Sequence, residues 1–309
     1  MRYVIFLLLL SPWAYCEDID KDLGCDQKTS ACILKLNRFA AEEGDADAQR
    51  NLGTMYLQGS GVEQDNAETL KWFRLAAEQG DSLAQSNLGL MYFKGYGVEQ
   101  DNAEALKWFR LAAKQKEAVA QNNLGFMYGK GYGVEQDSAK ALKFFRLAAE
   151  QGYAKAQHTL GDKYNLGHDV AKNKALAIQW WSKAAVQGYY ESQNNLGLMY
   201  LQGVDLEKNE AKALKLFRLS ADQGYALAQN SLGIMYSEGK GVVKDNAKAL
   251  KWYRLAAKQR HAGAQYNIGV MYTYGRGVEK DEAKALKLFR LSADQGYALA
   301  QQALKIFDN

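Results

Sequence analysis

The side chains that could do chemistry are few. His158, His168 and His261 are the only imidazoles, and Cys16, Cys25 and Cys32 are the only thiols. No His-Glu-x-x-His or Cys-x-x-Cys spacing occurs, so neither a helical zinc site nor a dithiol redox pair is written into the chain. Ser237-Glu238-Gly239-Lys240 has the spacing of a lysine-activated serine nucleophile. That chemistry needs one helical turn to bring Lys240 beside Ser237, and Gly239 and Gly241 break the helix there. Gly-x-Gly pairs such as Gly95-Tyr96-Gly97 lack the preceding strand and third glycine of a phosphate cradle. His158 and Asp162 lie four residues apart and would share a helix face. Together these residues predict a protein that works without catalysis, cofactor, metal or small-molecule substrate. A cell-wall or β-lactam hydrolase stands as a remote second alternative.

What must position such residues is helix. The 309 residues contain 28 glycines but one proline, Pro12, and 48% are hydrophobic, enough to build a core. Ala, Leu, Lys and Gln dominate, which predicts helices punctuated by glycine turns. A net charge of +4 is too small to argue for nucleic acid as a partner.

Residues 1–16 follow different rules. Arg2 precedes the apolar run Val4 to Leu10, and Ala14-Tyr15-Cys16 precedes the acidic Glu17 and Asp18, the pattern of a secretory signal peptide cut after Cys16. The run is short of the roughly 20 residues that span a bilayer, so membrane association is expected to be indirect only. A lipoprotein signal would need a small residue where Tyr15 stands. Cleavage leaves Cys25 and Cys32, which an oxidising compartment would join. On one helix their Cα atoms would be about 10 Å apart, too far for a bridge. Cys25 therefore belongs in a loop and Cys32 in the first helical turn. Such a bridge would pin the N-terminal cap, residues 17–44, by about 2.5 kcal/mol.

From Asp45 the sequence repeats every 36 residues without insertion: Ala48-Gln49-Arg50-Asn51-Leu52-Gly53 returns as Ala84-Gln85-Ser86-Asn87-Leu88-Gly89 and Ala120-Gln121-Asn122-Asn123-Leu124-Gly125. Seven full copies fill 45–296, and 297–309 forms a C-terminal half-repeat. Within 81–116, Ala84, Leu88, Met91 and Tyr92 form one helical stripe. Gly95-Tyr96-Gly97 ends that helix, and Asp101 caps the next one, with Glu104 placed for a capping box. Asp65, Asp137, Asn173, Asn209, Asp245 and Asp281 hold the equivalent cap positions. The second helix is expected to bury Ala103, Leu106, Phe109 and Ala113 and to expose Lys107, Arg110 and Lys114. One helix pair cannot bury its apolar face alone, so the repeats must stack.

The pattern A-x-A-Q-x-N-L-G-x-M-Y-x-x-G-x-G-V-x-x-D-x-A-x-A-L-K-W-F-R-L-A-A-x-Q-G resembles the Sel-one-like repeat, a tetratricopeptide-like family, across all seven copies. The resemblance implies an all-α, right-handed α/α superhelical solenoid of 36-residue helix-turn-helix repeats. It also implies a protein-interaction scaffold, often exported in bacteria, with no common catalytic residue. Members range over envelope assembly factors, adaptors and host-interaction proteins, so the partner stays open. Relatives linked to β-lactams carry a cysteine pair in every repeat, and this chain does not.

Columns of the array suggest where a partner would sit. The unbroken glutamine column from Gln49 to Gln301 reads as backbone satisfaction inside the packing. Lysines and arginines such as Lys71, Arg74, Lys107 and Arg110 read as a solvated outer face, with a basic strip for an acidic polymer as the alternative. If first helices line the concave face, as in tetratricopeptide-like arrays, an offset stripe there offers amides and apolar side chains to an extended peptide. Its candidates are Asn87, Leu90, Asn123, Phe126, Asn195 and Leu198. His158 and Asp162 join them from repeat four, where Thr159, Lys163, His168 and Trp181 also break the pattern. The expected protein is a secreted, periplasmic scaffold binding another protein or peptide through its concave face. The alternative is an exported virulence factor acting on a host protein.

Overall fold

The computed structural model describes residues 30–203 and 205–307. Residues 1–16, read as a signal peptide, and Cys25 lie outside the described residues. Cys32 is fully buried in the first turn of α1 (Ser30–Glu42), the place the sequence reading gave it.

Among the described residues there are sixteen helices and no strand. After α1 the chain forms α2 (Ala46–Gln58), α3 (Asn66–Glu78), α4 (Ser82–Lys94), α5 (Asn102–Lys114), α6 (Ala118–Lys130) and α7 (Ser138–Glu150). It continues through α8 (Ala154–Leu166), α9 (Lys174–Val186), α10 (Tyr190–Gln202), α11 (Glu210–Asp222) and α12 (Ala226–Glu238). The last four are α13 (Asn246–Lys258), α14 (Ala262–Tyr274), α15 (Glu282–Ala293) and α16 (Ala298–Phe307). Even-numbered helices are the first of each repeat and odd-numbered helices the second. None is long and apolar enough to cross a membrane.

The boundaries follow from local chemistry. Asp101 sits in extended backbone and its side chain accepts from the N–H groups of Ala103 and Glu104. Asp65, Asp137, Asn173, Asn209, Asp245 and Asp281 do the same for their helices. The reciprocal half of the capping box is not made. The Asp101 N–H is already held by the Tyr92 carbonyl, so Glu104 turns outward to Lys107 at 3.2 Å. At the other end of each first helix from α2 to α14 a glycine takes left-handed backbone, as at Gly95 with φ +71°, and its N–H returns to Met91.

Two compact units divide the chain, 1–148 and 149–309, with the division inside α7. In the first unit each helix from α1 to α5 packs on the next in sequence, and α4 also touches α6. One core joins Phe73, Ala76 and Ala77 of α3 to Ala84, Leu88 and Met91 of α4 and Trp108 of α5. In the second unit α8 to α16 stack in the same order. Its cores include Ala213, Phe217 and Ala221 of α11 against Ala228, Leu232 and Met235 of α12. Each unit is a solenoid of helix pairs. The second-helix core differs from expectation in one respect. Ala103 is exposed and Ala113 half-buried, while Ala105, Leu106, Trp108, Phe109 and Ala112 are buried. Ala103 is in the first turn, where its N–H serves the Asp101 cap, and the apolar stripe starts only at Ala105.

A glycine on each first helix from α2 to α14 sets how closely its partner approaches. A Cβ at Gly89 would lie 2.9 Å from the Phe109 ring, and Gly53 with Phe73 and Gly197 with Phe217 repeat that pairing at 2.7 Å. Gly161 meets Trp181 in the same way.

Candidate functional site

In the second unit α8, α9 and α10 bring the residues of repeat four together. The His158 imidazole Nδ1 is 2.9 Å from the Ser192 hydroxyl, and its Nε2 is 3.2 Å from Asp162 Oδ2. The other carboxylate oxygen, Oδ1, accepts from Trp181 Nε1 at 3.0 Å and from Asn195 Nδ2 at 3.4 Å. A serine, a histidine and an aspartate in line are the parts of an acyl-transfer triad. Ser192 is fully buried at the root of a helix, so its hydroxyl meets no substrate. The line is packing. Trp181 replaces phenylalanine in its column and brings an indole N–H that needs an acceptor, and Asp162 supplies it where the column otherwise holds apolar side chains or Thr54. Repeat four's departures from the pattern thus include a matched pair. Lys163, which interrupts the methionine column, reaches Asp169 at 2.5 Å.

Burial governs the protonation of this cluster. It pushes the His158 imidazole below its ordinary value of 6.5, opposed by the Asp162 and Glu191 carboxylates. The Asp162 carboxyl is pushed up, again by burial, against His158 and the Trp181 indole. With a folded pKa below the unfolded one, His158 contributes stability that is full above pH 6.5 and is lost as pH falls from there. Asp162 has the opposite sign, full below its ordinary 3.8 and lost as pH rises through its raised value. Imidazole NMR isolates the histidine: the His158 ring is expected to titrate below 6.5. A midpoint above 6.5 would mean that ion pairing outweighs burial.

The offset stripe is present in each unit. In the first, Asn87 and Asn123 are half-buried and make no side-chain hydrogen bond among the described residues. Leu90 is 36% and Phe126 41% exposed. In the second, Leu198 is exposed in the same way, while Asn195 gives its amide to Asp162. His158 and Asp162 spend their polar atoms on neighbours, so the free amides of the candidate set are those of Asn87 and Asn123.

Other columns are accounted for by packing. Gln85 donates to the Ala77 carbonyl at 3.0 Å and accepts from Gln115 at 2.9 Å, and Gln193 bridges Ala185 and Gln223 likewise. The arginine column is not simply solvated: Arg74, Arg110 and Arg218 donate to the hydroxyls of Tyr92, Tyr128 and Tyr236 on the following helix. Lys71 and Lys107 do face solvent beside Glu68 and Glu104. Ser237 and Lys240 are not brought together, because Ser237 bonds the Ile234 carbonyl and Lys240 pairs with Glu238. Among the described residues no group of three or more His, Cys, Asp or Glu side chains is placed to hold a metal.

The family description "Sel1 repeat" matches seven times, at 46–81, 82–117, 118–153, 154–189, 191–225, 226–261 and 262–297. The chain belongs to the Sel1 repeat family. Among solved structures it is similar to c5321 of uropathogenic Escherichia coli, described as a protective antigen displaying an SLR fold. Identity is 41% and the TM-score 0.74, over 87% of this chain and 57% of that one. This chain therefore spans a little over half the length of that antigen. A Sel1 repeat protein of Oxalobacter formigenes is 30% identical with a TM-score of 0.68, covering 79% of this chain and 96% of its own. No curated relative matches. As a Sel1 repeat protein the chain has a protein-interaction fold. Sequence reasoning placed the amide columns but missed Phe93 and Tyr132, whose rings pack on Phe126 with centroids 6.1 and 5.7 Å away. An aromatic residue four to six positions from an exposed Phe in a neighbouring turn was the signal available for Tyr132.

Proposed function

We propose that this Sel1 repeat protein is a secreted, non-catalytic scaffold that binds another protein or an extended peptide along its first helices. The carrying observation is the pair Asn87 and Asn123, half-buried amides without hydrogen bonds beside exposed Leu90 and Phe126. Free amides and apolar side chains in register suit a peptide backbone and its side chains. The concave face, implied by the family, is where that stripe is proposed to lie. Secretion into a bacterial periplasm rests on residues 1–16, and a Cys25–Cys32 bridge would tie the cap in that compartment. A second reading, export to meet a host protein, draws support from the 41% identity to an antigen of a uropathogen.

The test uses protein recovered from the periplasm, whose intact mass should begin at Glu17 and rise by two hydrogens on reduction. A partner captured from periplasmic extract supports the first reading, and one captured from host lysate the second. For that partner Asn123→Ala and Phe126→Ala should each weaken binding by about 1–3 kcal/mol with an unchanged melting temperature. Unchanged affinity with a clearly lower melting temperature would return both residues to packing.

A further inference from the structure

The first and last helices each carry half of a repeat. Among the described residues α1 has the sequence register of a second helix with no first helix before it, and α16 that of a first helix with no second helix after it. α16 of one copy and α1 of another therefore hold the two halves of one 36-residue unit. Both leave apolar surface open. Ile33 of α1 is 43% exposed, although its column from Thr69 to Ala285 is fully buried. Leu304 of α16 is only half-buried, although its column from Leu52 to Ile268 is buried throughout. Open, complementary ends of this kind are what join repeat arrays head to tail.

The contact positions at both ends differ from those of every internal repeat. Each first helix from α2 to α14 presents a glycine to an aromatic ring of its second helix, and a Cβ there would lie 2.9 Å or less from the ring. α16 has Lys305 in the glycine column, and α1 has Asn37 in the ring column. The Asn37 amide turns back to the Ile33 carbonyl of its own helix at 2.8 Å. Second helices are followed by a glutamine that donates to the column glutamine of their first helix, as Gln79 does to Gln49 at 2.8 Å and Gln295 to Gln265 at 2.7 Å. α1 is followed by Glu43, whose carboxylate has no N–H to offer Gln301. Ile33 puts a branched side chain into a column of alanines and one threonine, an overpacked fit. In a docked pair the Lys305 stem would hold α1 away from α16, its ammonium would lose water, and no ring would replace the missing contact.

We propose that α16 and α1 are complementary surfaces for a second copy of this chain, and that Ile33, Asn37, Glu43 and Lys305 hold that interface shut. The blocking residues are divided between the two ends, so a copy opened at one end still meets a closed end on its neighbour. The proposal is independent of the first-helix stripe.

Two variants test it, each opened at one end. One carries Lys305→Gly, the other Ile33→Ala, Asn37→Phe and Glu43→Gln. None of these side chains is buried, and circular dichroism checks that both variants fold. In sedimentation velocity the native chain and each variant alone should be monomeric. An equimolar mixture of the two should form a one-to-one dimer with a Kd in the micromolar range, and a chain opened at both ends should form longer species. Restoring Lys305 or Asn37 in the mixture should weaken the dimer by about tenfold or more. A mixture of folded variants that stays monomeric overturns the proposal. So does a native chain that self-associates and is dispersed by Lys305→Gly, because the charges of Lys305 and Glu43 would then be joining the ends. Association of the triply substituted variant by itself overturns it too, since the new aromatic ring would be adhering to a surface other than an opened α16.

Discussion

Gly97→Val is expected to destabilise the first unit by about 2–5 kcal/mol, far more than an exposed turn residue ordinarily would. Two effects add. Gly97 has φ +69°, where any L side chain costs about 1–2 kcal/mol and a β-branched one more. In addition, a Cβ there would lie 2.5 Å from the Asn66 carbonyl oxygen and 2.8 Å from its carbon. Those are backbone atoms at the first position of α3 in the preceding repeat, and they cannot swing aside as a side chain can. Overpacking of that kind adds about 1–3 kcal/mol. Gly80 is the control. Its φ is +98°, but nothing lies within 4 Å of its Cβ position. Gly80→Ala should show the backbone term alone, and Gly97→Ala both terms. Thermal melts followed by circular dichroism separate them. Equal losses for Gly80→Ala and Gly97→Ala would mean that the second glycine of the Gly-x-Gly turn is there for its backbone angle and not for the approach of one repeat to the next.

That contrast marks how far the sequence reading reached. Elements set by local chemistry were legible: the Asp and Asn caps, the glycine stops and the 36-residue period each depend on a few adjacent residues. The Glu104 capping box failed because the Asp101 N–H is taken by Tyr92, nine residues back across the turn. Ala103 was misplaced because periodicity gives the direction of a stripe and not the turn where burial begins. The binding columns were visible as columns. Their chemistry was not, since it depends on neighbours contributed by other repeats. Asp162 reads only as a neighbour of His158 on one helix face until Trp181, nineteen residues on, donates to it. Phe126 reads as an apolar anchor until Phe93 and Tyr132 make it part of an aromatic cluster.

Gly89→Ala should change sign with its background. In the native protein the new methyl would sit 2.9 Å from both Cδ1 and Cε1 of Phe109, a ring that is fully buried and has nowhere to retreat. Overpacking of about 1–3 kcal/mol exceeds the roughly 0.5–1 kcal/mol that alanine gains over glycine inside a helix, so the substitution destabilises. Phe109→Ala alone should lose about 3–5 kcal/mol through the cavity it leaves. Once the ring is gone the clash is gone, the helix term remains, and Gly89→Ala becomes stabilising by about 0.5–1 kcal/mol. Denaturant midpoints for the four proteins give the coupling directly, with Phe109→Leu as the milder partner should the alanine variant melt too low to measure. A Gly89→Ala effect independent of residue 109 would show that the glycine serves some other contact. The pairing matters beyond stability. It holds α4 against α5 within their repeat, and α4 also carries Asn87, Leu90 and Phe93. If the methyl pushes α4 off α5, the spacing between that stripe and Asn123 and Phe126 on α6 changes with it. Partner affinity should therefore fall in Gly89→Ala and recover in the double variant along with stability.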